Sequence, residues 1–195
     1  MPTMNIIRTA PVTTALCAVM LVLWPITATQ PDIFATLLFY APNPSIHTAL
    51  SSAFVHSGAS HLAMNVFLLV LLGGEVERYV GAVRYTAIFG TAALGAAACI
   101  TYLDPNSATV GASGVLYALM VLLIGMNIAR KTDLRGPIVL VVINVAFSFI
   151  TPGVSIAGHL GGLIAGVVML PTVLRGWVWP IIVCAVSATY VLVAL

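Results

Sequence analysis

The stretch HLAMNVFLLVLLGGEVERY, residues 61–79, opens on a polar His61/Asn65 pair, runs apolar through its middle and closes on Glu75, Glu77 and Arg78. As a helix it is long enough to cross a bilayer, whose hydrocarbon core takes about 20 mostly apolar residues. The polar groups then mark its two ends. Segments of this kind recur along the whole chain of 195 residues, of which 61% are hydrophobic and 6% charged; the mean hydropathy is +1.14. A soluble domain carries roughly 25% charged residues. Lipid therefore replaces water around most of this chain, and the fold class is an all-α membrane protein.

Working outward from 61–79, Pro/Gly and polar punctuation cuts the chain into spans at about 11–28, 61–79, 84–103, 113–129, 136–150, 156–174 and 177–195. The apolar run 10–28 follows a single basic residue, Arg8, as a signal peptide would. Its length and the spans that follow make it a first transmembrane helix. Residues 29–60 hold Pro31, Pro42 and Pro44 beside Phe34, Leu37 and Phe39, and are expected to form a long membrane-associated loop. Irregular backbone at that depth requires protein or headgroup water to satisfy its polar groups.

The loops test this arrangement, because cytoplasmic loops collect Lys and Arg. Arg8 precedes the first span, Arg78 and Arg84 flank the loop after the second, Arg130, Lys131 and Arg135 follow the fourth, and Arg175 follows the sixth. These are all 7 basic residues, and they fall on one side. The other side holds Asp32 and Asp104. The pattern places a short N-terminus (1–9) in the cytoplasm of a cell-membrane protein, and the C-terminus outside.

Polar side chains inside spans are costly and are functional candidates by default. Here they are His61, Asn65, Ser113, Tyr117, Asn127, Asn144 and His159. His61, Asn65, Ser113 and His159 come from three distant segments yet lie near the outer end of each. His61/Asn65 and Ser113/Tyr117 are each spaced i, i+4 and so share a helix face. Gly158, Gly162 and Gly166 make a stripe of small residues on the sixth span, and Gly114 with Ala118 a shorter one on the fourth, which lets two backbones approach closely. A Ser hydroxyl and a His ring must come within about 3 Å for general-base activation. Gly111 permits a sharp turn into the fourth helix, whose free N-terminal amides can bind an oxyanion. Each feature also has a plain reading. Gly111-Ala-Ser113-Gly114 is a common tetrapeptide in apolar sequence, a histidine in a glycine stripe can be a packing donor, and His61/Asn65 can bridge helices. Their joint placement at one depth is what favours a shared site.

These residues resemble the rhomboid intramembrane serine proteases over about 47–171. The motifs are His61-Leu-Ala-Met-Asn65, Gly73-Gly74-Glu75-Val76-Glu77, Gly111-Ala-Ser113-Gly114-Val-Leu-Tyr117 and Gly158-His159-Leu-Gly-Gly162. The resemblance implies a six-helix core (10–174, with 29–60 as its first loop) plus an extra C-terminal transmembrane helix (175–195). It implies a serine endopeptidase with Ser113 as nucleophile and His159 as base, a dyad without a carboxylate. It further implies that His61 and Asn65, with the Ser113 amide, hold the oxyanion, and that Tyr117 packs on the His159 ring. Phe54-Val-His56 fits the family's FxH segment, but the Trp-Arg pair found before it in many bacterial members is His47-Thr48 here.

The expected partners are transmembrane protein substrates and the lipid bilayer. No cofactor, metal or nucleic acid is expected: there is no HExxH motif, no basic tract, and Cys17, Cys99 and Cys184 sit in apolar runs as small packing residues. The absence of intramembrane carboxylates and paired broken helices argues against a transporter, and Asp104 reads as a solvated loop charge. The alternative is a catalytically inactive rhomboid-like protein that binds transmembrane helices; such relatives lack the Ser or the His, and both are present here.

Overall fold

The structure, a computed structural model, describes residues 9–194. Arg8 and Leu195, counted above among the basic residues and as the end of the last span, lie outside the described residues. The long helices are α1 (Pro11–Thr29), α4 (Ala59–Leu68) continuing through a π turn at Leu69–Gly73 into α5 (Gly74–Val80), α6 (Ala82–Leu103), α7 (Ser113–Arg130), α8 (Arg135–Ile150), α9 (Ile156–Arg175) and α10 (Trp179–Ala194). Their ends lie within about two residues of those read from composition. Five of these segments, α1, α4–α5, α6, α7 and α9, are long and apolar enough to cross a membrane. α8 and α10 have 16 residues each, about 24 Å of helix at 1.5 Å per residue, and are the two shorter apolar helices of a multi-pass membrane protein.

Residues 29–60 are more ordered than a loop. They form α2 (Pro31–Leu37), β1 (Phe39–Tyr40), α3 (Ile46–Ser51) and a 3-10 turn at Ser52–Phe54. β1 pairs antiparallel with β2 (Ala108–Thr109), and Ala41 N donates to Ser107 O at 2.9 Å. Backbone polar groups that cannot count on water must pair with one another, and short helices and a two-residue ladder do this. Local signals were present: Pro31 opens α2, and Ser45 Oγ caps α3 by accepting from Thr48 N at 3.1 Å. At the site of the missing Trp-Arg pair, His47 is exposed and Thr48 serves this cap. Ser51 Oγ donates to Leu37 O at 2.8 Å, tying α3 to the end of α2.

Among the described residues one carboxylate is buried, and it holds the first helix. Pro11 opens α1 with no side-chain cap of its own. Glu77, 2% exposed, accepts instead from Val12 N (2.9 Å), Thr13 N (2.7 Å) and Thr13 Oγ1 (2.8 Å). A negative charge is thus matched to the positive end of a helix and to amides that would otherwise be orphaned.

The six described basic residues gather at one end of the bundle. There Glu75 pairs with Arg78 and lies 3.9 Å from Arg130, the Arg130 guanidinium sits 4.8 Å from the Tyr79 ring centroid, and Tyr79 Oη donates to Val173 O at 3.1 Å. These contacts join the ends of α5, α7 and α9.

The most extensive helix interface is between α7 and α9, followed by that between α9 and α6. Small residues allow both. A Cβ at Gly162 would lie 1.9 Å from Gly114 O, and one at Gly166 would lie 2.9 Å from Ala118 O. On its other face, α9 presents Gly161, where a Cβ would lie 2.6 Å from Gly95 O of α6. Gly158 does not continue the stripe toward α7 by its own missing side chain, since a Cβ there would meet Ile100 and Ser155; its carbonyl is the group that faces Gly114.

A methyl group at Gly162 must push two backbones apart. Gly162→Ala is expected to lower the thermal unfolding midpoint in detergent micelles, at the cost of about 1–3 kcal/mol typical of overpacking. Gly136→Ala, where a Cβ meets nothing within 4 Å, should leave the midpoint unchanged. Equal midpoints for the two variants would contradict the contact described.

Candidate active site

Three helices, α7, α9 and α4, meet at the end of the bundle opposite the basic residues. α7 begins at Ser113 after Ala112, which has no side chain able to cap it. The amides of its first turn are therefore left without a capping side chain. Gly111 sets the turn into this helix with φ +108°, and its N–H donates to Ser52 O at 2.8 Å. A Cβ at Gly111 would also lie 2.6 Å from His61 Nε2, so glycine is required twice, once for backbone conformation and once for the neighbouring ring.

α9 begins next to it. Ser155 caps this helix by accepting from Gly158 N at 3.1 Å, and His159 lies in the first turn. Because Gly114 and Gly162 are in backbone contact, Ser113 and His159 project into the same space. Ser113 Oγ and His159 Nε2 are 2.8 Å apart, both half-buried. The Tyr117 ring stacks on the imidazole, with centroids 4.2 Å apart and planes 23° apart.

α4 supplies the facing wall. His61 Nδ1 is 3.1 Å from Ser57 Oγ. Asn65 Nδ2 donates to His61 O at 2.8 Å, which leaves one amide hydrogen of the buried Asn65 for another acceptor. His56, in the turn before α4 and outside the spans, is 3% exposed and sits edge-on to His61 with ring centroids 5.1 Å apart. Burial lowers its pKa and the His61 ring lowers it further, to about 4, so His56 is neutral at physiological pH. It packs behind His61.

A cavity of about 610 Å³ joins these elements, lined by His61, Asn65, Ser113, Tyr117, Ser148 and His159 among others. Of the polar residues singled out in the spans, Asn127 is not part of it: it accepts from Thr132 Oγ1 at 2.5 Å and closes the far end of α7. Asn144 lines the cavity, but its Nδ2 donates to Leu140 O of its own helix. Ser148 was missed by reading the sequence. It touches His159 Nδ1 at 2.8 Å and Tyr117 Oη at 2.6 Å. A serine in an apolar helix ordinarily back-bonds to its own turn and so carries little signal; the available clue was its i, i+4 spacing from Asn144.

Chemically, the arrangement places a hydroxyl against an imidazole nitrogen, free helix amides beside that hydroxyl, and further donors on the opposite wall. That is what attack on a carbonyl and stabilisation of the resulting oxyanion require.

The chain matches the Rhomboid domain family over residues 43–176. It is 34% identical over 123 residues to Rhomboid protease GluP of Bacillus subtilis (strain 168), covering 60% of this chain and 24% of that protein. It is 27% identical over 129 residues to Rhomboid-type serine protease 2 of Emericella nidulans, covering 63% and 26%. It is 26% identical over 171 residues to Rhomboid-related protein 3 of Homo sapiens, covering 76% and 42%. The match therefore covers about a quarter of the first two relatives' length.

The Gly111–His61 contact is open to a double-mutant test. Gly111→Ala should destabilise the protein by about 1–3 kcal/mol through backbone strain, plus the cost of displacing the ring. In a His61→Ala background the second part disappears, so the penalty measured by unfolding should shrink. An identical penalty in both backgrounds would show that the ring does not rest on Gly111.

Proposed function

This chain belongs to the rhomboid family, and on that premise we propose that it is an intramembrane serine peptidase that cleaves transmembrane helices through a Ser113–His159 dyad. The single observation that carries the reading is the 2.8 Å approach of Ser113 Oγ to His159 Nε2 in the wall of a cavity among the helices. His159 takes the Ser113 proton as Oγ attacks a substrate carbonyl. The tetrahedral oxyanion is held by the Ser113 amide with His61 and Asn65. The imidazolium returns its proton to the leaving amine, and water then hydrolyses the acyl-enzyme by the same route in reverse. Tyr117 keeps the imidazole plane fixed. Gly111 and Gly114 set the approach to the nucleophile, and Gly158 and Gly162 set the approach to the base.

Water must reach the acyl-enzyme, and a site near one end of the bundle allows this without a passage across the bilayer. The basic residues gather at the other end. By the preference of Lys and Arg for the cytoplasm, the site faces the outer side of a cell membrane, and cleavage falls near the outer end of the substrate helix. A helical peptide bond is shielded by its own backbone, so suitable substrates have small or helix-weakening residues there. The protein's partners on this reading are the bilayer and transmembrane proteins.

The test is cleavage of a reconstituted transmembrane substrate together with labelling by a fluorophosphonate. Ser113→Ala should abolish both, and His159→Ala should abolish cleavage. Asn65→Ala should lower turnover by about 10² to 10³, the usual effect of losing one oxyanion donor. Normal cleavage by the Ser113→Ala protein would overturn the reading.

A further inference from the structure

The dyad leaves one nitrogen of His159 unexplained. A neutral imidazole accepts the Ser113 proton at Nε2 only if its own hydrogen is on Nδ1. The partner of Nδ1 in the structure is a neutral hydroxyl, Ser148 Oγ, at 2.8 Å. Ser148 is 6% exposed and lies on α8, so a fourth helix reaches the site.

Counting protons around Ser148 gives its orientation. The hydroxyl has one hydrogen and two acceptor positions. It has three neighbours: Asn144 O at 2.9 Å, Tyr117 Oη at 2.6 Å and His159 Nδ1 at 2.8 Å. The Asn144 carbonyl can only accept, so it takes the Ser148 hydrogen. The two remaining positions are then filled by donation from Tyr117 O–H and from His159 Nδ1–H. Every hydrogen and every lone pair of the buried hydroxyl is used, and the lone pair of His159 falls on Nε2, toward Ser113.

We propose that Ser148 is a positioning residue, which fixes the tautomer and plane of His159 by accepting its Nδ1 hydrogen. This rests on the peptidase reading for its purpose, though not for its geometry. When Ser113 Oγ–H is transferred to Nε2, the Nδ1–H bond to Ser148 stays in place and no proton passes through Ser148. Tyr117 contributes from two sides, by stacking on the ring and by donating to the same oxygen. The hydroxyl occupies the place relative to the histidine that a carboxylate holds in soluble triads, without placing a charge among apolar helices.

The experiment uses the full chain in detergent micelles, with Ser148→Ala, Ser148→Thr and Ser148→Cys. Nitrogen-15 NMR of the His159 ring reads the tautomer directly, independently of activity. The wild type should show a protonated Nδ1. Ser148→Ala should show a mixture of tautomers and a turnover lower by about 10- to 100-fold, part of the roughly 10² to 10⁴ that general-base assistance provides, with KM unchanged. Ser148→Thr, which keeps the hydroxyl, should recover most of the turnover; Ser148→Cys, a weak acceptor of similar size, should fall between Ala and wild type and covers the case in which the alanine protein fails to fold. A wild-type ring protonated on Nε2, or a Ser148→Ala protein within twofold of wild type in turnover, would overturn the proposal and leave the peptidase reading intact. A protonated Nδ1 in a wild-type protein that neither cleaves nor labels would instead sink the peptidase reading.

Discussion

Everything at the site depends on how closely α7 and α9 approach. Their axes are near enough that a single added carbon at Gly162 would sit 1.9 Å from Gly114 O, a separation no side chain permits. In lipid no hydrophobic force drives helices together, so association relies on packing and on polar contacts that small residues make possible. Ser113 precedes Gly114 and His159 follows Gly158, whose carbonyl faces Gly114. Ser113 and His159 are therefore placed directly beside the contact, and their 2.8 Å separation follows from backbone packing more than from side-chain reach. The opposite face of α9 repeats the device against α6 through Gly161 and Gly95, which fixes the helix bearing the histidine from both sides.

Charge is distributed in the same economical way. Among its described residues the bundle buries one carboxylate, Glu77, and surrounds it with two amides and a hydroxyl at the start of α1. The described basic residues stay at that end of the molecule. The cavity lining at the other end holds no carboxylate: its polar side chains are hydroxyls, a phenol, imidazoles and amides. A chain of neutral hydrogen bonds from Asn144 O through Ser148 to His159 and Ser113 orders the site without the desolvation cost of a buried ion.

Much of this was legible in the sequence, for identifiable reasons. Spans could be read because lipid imposes a length and an apolar composition on each, and the arrangement of Arg and Lys in the loops checked their number. Ser113, His159, His61 and Asn65 stood out because polar groups are scarce in such segments. Ser148 did not, since a single hydroxyl is cheap in a helix and its meaning lies wholly in what it touches across the bundle. Asn127 stood out for the same reason as Asn65 and proved to be a helix-end residue, because polarity marks cost and not location. The second glycine contact, at Gly161, was hidden inside a motif that drew attention to its neighbours.

The segment 29–60 shows how position and composition can diverge. Its prolines and mixed polarity suggested an irregular loop, yet the backbone there pairs internally or with the rest of the protein. One of those pairs is Gly111 N to Ser52 O, at 2.8 Å, and the β1–β2 ladder holds residues 108–109 just before it. The turn into Ser113 is thus anchored on one side by the loop and on the other by the α7–α9 contact. Gly111, at φ +108° and against the His61 ring, is the joint between them. The segment that looked least structured therefore helps set where Ser113 sits, and its order belongs to the site as much as the helices do.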